Sequence, residues 1–138
     1  MSERPDRIEG NAGGSCLCGS VTYRVEGSLR PVVACHCGQC RKQSGLYYAA
    51  TDASDADLTI KDGGTLTWYA ASEDAKRGFC SKCGSALFWK ANGSAKTSIL
   101  AGSLDENPGV TIERHIYCED KGDFYEITDG KPQFAKSD

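Results

Sequence analysis

Phe79-Cys80-Ser81-Lys82-Cys83-Gly84, leading into the apolar run Ala86-Leu87-Phe88-Trp89, is the stretch on which the fold class turns. Two thiolates separated by two residues on a tight turn reach one metal ion together. The glycine behind them supplies a positive φ and lets backbone N–H groups face the sulphurs. A redox dithiol of this spacing belongs in a βαβ context, which the neighbouring sequence lacks. Cys16-Leu17-Cys18-Gly19 offers a second glycine-closed pair.

The other cysteines are Cys35-His36-Cys37-Gly38-Gln39-Cys40 and, alone, Cys118. Zinc prefers four ligands at ~2.3 Å from sulphur. Two pairs complete one tetrahedron, so Cys16, Cys18, Cys80 and Cys83 are assigned to a structural zinc that closes a long loop and contributes to folding. Cys35, Cys37 and Cys40 fill three corners of another and leave one position for water or substrate, the pattern of catalytic zinc. His36, His115 and Cys118 are the residues that would close it instead. His36 alternates to the other strand face from its neighbours, and Cys118 reads rather as a small buried apolar residue in a strand over 110–117 than as a ligand.

Outward from the cysteines, apolar positions alternate. Val21, Tyr23 and Val25 against Thr22, Arg24 and Glu26 form a half-buried strand. Further strands are expected over 31–36, 46–51, 57–61, 65–69, 85–90, 97–101 and 110–117. Asp62-Gly63-Gly64 reads as a hairpin turn between the fourth and fifth of these eight strands. No window carries an amphipathic helix longer than two turns, so helices are expected to be short, at 71–76 or 41–44. The class is mainly β.

The length of 138 residues suits one domain. Sixteen basic against nineteen acidic side chains, without a like-charge run, disfavour a nucleic-acid partner, whose affinity would come from neutralised phosphates. The polar, mixed-charge start is not a secretory signal, and no apolar run approaches the ~20 residues that span a bilayer. A cytoplasmic, reducing location is expected, which favours metal binding over disulfides.

Gly14-Ser15-Cys16-Leu17-Cys18-Gly19, Cys35 to Arg41, Phe79 to Gly84, and His115-Ile116-Tyr117 followed by Asp129-Gly130-Lys131-Pro132-Gln133-Phe134 resemble the glutathione-dependent formaldehyde-activating enzyme family, the centromere-protein-V/Gfa domain. The resemblance divides the chain into a flexible tail over 1–12, a zinc domain over 13–134 and a short tail over 135–138. It implies an Mss4-like zinc-containing β fold, a structural zinc on the outer pairs and a catalytic zinc on the central triplet. The chain is shorter than the family's namesake, and Cys118 stands where the family pattern asks for no ligand.

The activity implied is that of a carbon–sulphur lyase acting on an S-hydroxymethylglutathione-like adduct of a thiol and a small aldehyde. Cys35, Cys37 and Cys40 would carry the chemistry by holding the substrate thiolate. Arg41, Lys42, Arg77 and Lys82 are the basic residues beside the cysteines, and Arg41, directly after the triplet, is the expected contact for glutathione's carboxylates. Tyr47, Tyr48 and Trp68 offer a pocket wall but, as aromatic residues on strands, read rather as core and are assigned no role. The alternative is a non-catalytic, zinc-stabilised protein-binding module with both centres closed.

Overall fold

The computed structural model describes residues 7–137. These form β1 (Ile8–Ser15), β2 (Val21–Leu29), β3 (Val32–Cys35), α1 (Gly38–Ser44), β4 (Tyr48–Ser54), β5 (Leu58–Asp62), β6 (Leu66–Tyr69), β7 (Ala75–Cys80), β8 (Ala86–Ala91), β9 (Lys96–Leu100) and β10 (Ile112–Ile116). The architecture is mainly β, as expected. Two sheets form, a three-stranded one in the order β1-β2-β5 and a seven-stranded one in the order β10-β3-β4-β9-β8-β7-β6.

The alternation in β2 has the expected effect: Val21, Tyr23 and Val25 are buried and Arg24 and Glu26 are exposed. From the small sheet Ala12, Val21, Tyr23, Val25 and Leu29 pack into one core with Ala53, Cys80, Leu87, Phe88 and Ile99 of the large sheet. Tyr23 meets Phe88 edge to face at 5.4 Å.

Three sequence expectations are corrected. The tail over 1–12 is shorter, because Ile8 to Ala12 pair with β2 throughout; residues 1–6 lie outside the described residues. This strand is rich in glycine, a poor strand former. Close packing needs those glycines: a Cβ on Gly10 would stand 2.5 Å from Leu29 Cγ, and one on Gly14 would stand 2.1 Å from the Tyr23 ring.

Asp62-Gly63-Gly64 makes no hairpin. β5 pairs with β2 and β6 with β7, so the turn hands the chain from one sheet to the other. Asp62 Oδ1 accepts the N–H groups of Gly64, Thr65 and Leu66 at 2.8, 3.0 and 3.0 Å.

Nor is 71–76 helical. Ser72 Oγ accepts the N–H groups of Asp74 and Ala75, each at 3.2 Å, and the chain enters β7. Pairing with β6 on one side and β8 on the other overrides the local preference. The helix expected over 41–44 is α1. Cys37 is its N-cap, accepting the Cys40 N–H at 3.4 Å, and Gly45 ends it in the left-handed region at φ 86°.

Candidate functional site

The cysteines fall into two groups, each with all its sulphurs within 4.8 Å of one another: Cys16, Cys18, Cys80 and Cys83, and Cys35, Cys37 and Cys40. All eight cysteines are free of disulfides. These are the two sets assigned from spacing.

The quartet fits a metal on its own geometry. Four sulphurs ~2.3 Å from a common centre stand roughly 3.8 Å apart. Cys16 Sγ lies 3.6 Å from Cys18 Sγ, which lies 3.7 Å from Cys80 Sγ. Further donors surround them: Val21 N–H reaches Cys16 Sγ at 3.3 Å, and the hydroxyls of Thr65 and Ser85 lie 3.2 Å from Cys80 and Cys83. Gly19 and Gly84 hold positive φ of 82° and 81° behind the two pairs, as the turns require. Cys16 and Cys18 follow β1 of the small sheet, whereas Cys80 ends β7 of the large one, so a metal held here would staple sheet to sheet.

The triplet comes from the end of β3 and the first turn of α1. Its thiols interact strongly. Hydrogen bonds from Cys35 and Cys40, then from the Cys40 N–H, draw Cys37 down to about 2, whereas contact with the other two sulphurs pushes Cys35 up. Cys37 is therefore the first of the three to ionise. A set of three thiol donors suits a thiophilic ion.

All three cysteines of the triplet line a cleft of about 710 Å³. Val33 and Cys35 of β3, Tyr48 and Ala50 of β4, Ala75 and Arg77 of β7, and Arg114 and Ile116 of β10 contribute to its lining. Every pair is spaced i, i+2, so the cleft floor is one face of the seven-stranded sheet. Phe88 and Ile99 belong to the core shared with the small sheet, whereas their neighbours Trp89 and Ser98 line the cleft. The quartet and the triplet thus belong to opposite faces of one sheet.

Arg77 is one of three arginines that line this cleft, with Arg30 and Arg114, and the one in contact with the triplet. Only 5% exposed, it donates from Nη1 to Gln43 Oε1 at 3.1 Å, and from Nη2 to Gln39 Oε1 at 3.3 Å and Cys40 Sγ at 3.5 Å. Its guanidinium lies 4.9 Å from the Tyr48 ring centroid. Burial works against its charge, but contact with Cys40 outweighs that and its pKa is raised. The Arg77 Nε and the Tyr48 hydroxyl are buried without a hydrogen-bond partner. Burial pushes Tyr48 up to about 12, so it remains a phenol.

None of the three residues considered for closing the triplet joins its group of sulphurs. His36 points into the protein, with Nδ1 in hydrogen-bond contact with the Tyr125 hydroxyl and Nε2 2.8 Å from His115 Nδ1. His115 Nε2 lies 2.8 Å from Asp129 Oδ2. Burial, and next the nearby His115, lower His36 to about 4 and keep it neutral. Cys118 is half-buried and opens a 3-10 turn after Tyr117, so the strand expected over 110–117 does not contain it.

Arg41 is not among the cleft residues; its Nη1 donates to the Asp120 carbonyl oxygen at 3.0 Å. Tyr48 lines the cleft, Tyr47 meets His36 with its ring tilted at a centroid distance of 4.8 Å, and Trp68 packs on Phe88 at 6.0 Å. The sequence marked Arg77 only as one basic residue among four. Its place in the cleft follows from β7 being a strand, with Ala75 and Arg77 on one face. Among the described residues no helix is long and apolar enough to cross a membrane.

The profile of the family described as glutathione-dependent formaldehyde-activating enzyme matches residues 11–120. A Halomonas elongata protein provisionally named as such an enzyme is 35% identical over 124 residues, covering 83% of this chain and 79% of its own. An uncharacterized lyase of Schizosaccharomyces pombe is 25% identical over 123 residues, covering 88% and 89%. The crystal structure of a Rhodobacter sphaeroides protein superposes with a TM-score of 0.59 at 25% identity, covering 88% of this chain and 98% of that one. The matched residues include all three cysteine clusters, and the chain belongs to the glutathione-dependent formaldehyde-activating enzyme family.

Proposed function

We propose that this protein makes and breaks the carbon–sulphur bond between a thiol, glutathione in the first instance, and formaldehyde or a similarly small aldehyde. Zinc is the proposed metal at both centres. The observation that carries the reading is a set of three thiol ligands, unaccompanied by a fourth among the described residues, in the lining of a cleft large enough for a tripeptide.

When bound there, zinc supplies a position that keeps a fourth, exchangeable sulphur in its thiolate form. Cys35, Cys37 and Cys40 hold the ion, and α1 fixes two of them through the Cys37 N-cap. The cleft brings thiol and aldehyde together, which replaces a bimolecular encounter by a positioned one. In the forward direction a sulphur lone pair forms the C–S bond, the carbonyl π pair moves to oxygen, and that oxygen takes a proton; the reverse reaction cleaves the adduct. Glutathione's carboxylates need cationic or N–H partners, and the candidates are Arg41, which follows the triplet directly, and the cleft arginines Arg77, Arg30 and Arg114.

The test combines metal analysis with turnover. Two zinc ions per chain and catalysed exchange between formaldehyde and its glutathione adduct are expected. Cys37→Ser should abolish the exchange and leave the circular-dichroism spectrum unchanged. Full turnover by Cys37→Ser, or inactivity of zinc-loaded wild type toward a panel of thiols and aldehydes, rejects the proposal in favour of a binding module.

A further inference from the structure

We infer that Arg77 is the counter-ion of the thiol triplet and sets the preference of that centre for an anionic sulphur ligand. The inference deepens the reading of the triplet as the reacting centre and rests on it.

A guanidinium as buried as Arg77 is costly unless an opposite charge compensates it. No carboxylate of the described residues forms an ion pair with it. Its two glutamine partners are neutral amides. The group that Arg77 does reach is the triplet itself, through Cys40 Sγ at 3.5 Å, so the triplet with its ion is the counter-charge available to it. Arginine suits the position because it stays charged when buried and its planar fork engages Gln39, Gln43 and the sulphur together.

The charge balance gives the chemical consequence. A divalent ion with three thiolates carries one net negative charge, and a fourth thiolate raises this to two. Arg77 returns the ensemble to one, so it favours a ligand arriving as thiolate over a neutral one.

The experiment measures binding to zinc-loaded protein by calorimetry with two probes: 2-mercaptoethanol, a thiol without carboxylates, and imidazole, a neutral ligand. Arg77→Gln should weaken the thiol by at least roughly tenfold, as loss of one partner of a buried charge pair does. Imidazole affinity should stay within about twofold, and Arg77→Lys should restore part of the thiol binding, since it retains the charge without the fork.

A second variant guards against misfolding. Gln43 is exposed on α1, so Gln43→Glu should fold, and it sets a competing carboxylate on Arg77. Its thiol affinity should fall while chelator competition shows unchanged metal at the quartet. Equal effects on both probes, an unaffected Gln43→Glu, or wild type binding neither probe overturns the inference. Absence of glutathione–formaldehyde turnover would reject the proposed reaction, yet the ratio of the two affinities would still be readable.

Discussion

Replacing Cys83 by serine and, separately, Cys37 by serine removes one sulphur from each centre at comparable, half-buried positions. The two centres close very different lengths of chain. Cys18 and Cys80, in contact across the quartet, are 62 residues apart, whereas the triplet comes entirely from residues 35–40. With loop-closure entropy growing as (3/2)RT ln n, the quartet constrains the unfolded chain by about 2 kcal/mol more than the triplet. For a domain of this size that is a difference of roughly 6–10 °C in Tm. The quartet also joins two sheets that share one core, so its loss should expose that core. The assay is thermal unfolding of metal-replete wild type and both variants, with metal counted before and after. Cys83→Ser is expected to melt well below Cys37→Ser, and Cys37→Ser to stay close to wild type. If Cys37→Ser falls as far as Cys83→Ser, or if stripping the metal leaves wild-type Tm unchanged, the division into a folding centre and a reacting centre is wrong.

Tyr23 donates or accepts a hydrogen bond with Ser103 Oγ at 2.6 Å, and burial raises its pKa from 10.0 to about 12. The unfolded chain ionises first, so this residue's stabilisation is complete below pH 10 and is lost between 10 and 12, by up to about 3 kcal/mol. Tyr23→Phe should be about 1 kcal/mol less stable than wild type near neutrality, and the order should reverse near pH 11; urea unfolding across that range checks it, and a difference independent of pH refutes it. Gly14→Ala should displace β1 and lower stability by roughly 1–3 kcal/mol, because its Cβ would overlap the Tyr23 ring; hydrogen exchange of the β1 amides reports it, and unaltered protection counts against it. Asp52, 4% exposed, lies 2.7 Å from Arg7 Nη1 and 3.3 Å from Arg30 Nη1. Asp52→Ala strands buried cationic charge and should cost roughly 3 kcal/mol; a denaturation midpoint equal to wild type would contradict this.

The cysteine spacing made both sulphur groups legible because local turns hold each pair, and period-two alternation made β2 legible because one face is dry. What escaped was decided at a distance. β1 is held by glycines that let Leu29 and Tyr23 approach, which propensity scores as weakness. Asp62-Gly63-Gly64 has the chemistry of a turn, but the sheet that receives the next strand is chosen by pairing beyond it. Residues 71–76 contain helix formers, and reading them so hid the strand face that carries Arg77 into the cleft. The contacts joining His36 to His115 and Tyr125 cross 79 and 89 residues, beyond any local signal.

Strand β7 has a double occupation. Its last residue, Cys80, is fixed in the sheet-to-sheet staple, and three residues earlier Arg77 rests on a sulphur of the other centre. A six-residue ribbon cannot shift at one end and stay still at the other. Protein that has shed the ion from its outer clasp would therefore be expected to bind thiols differently on the far side of the sheet, well before the chain comes apart.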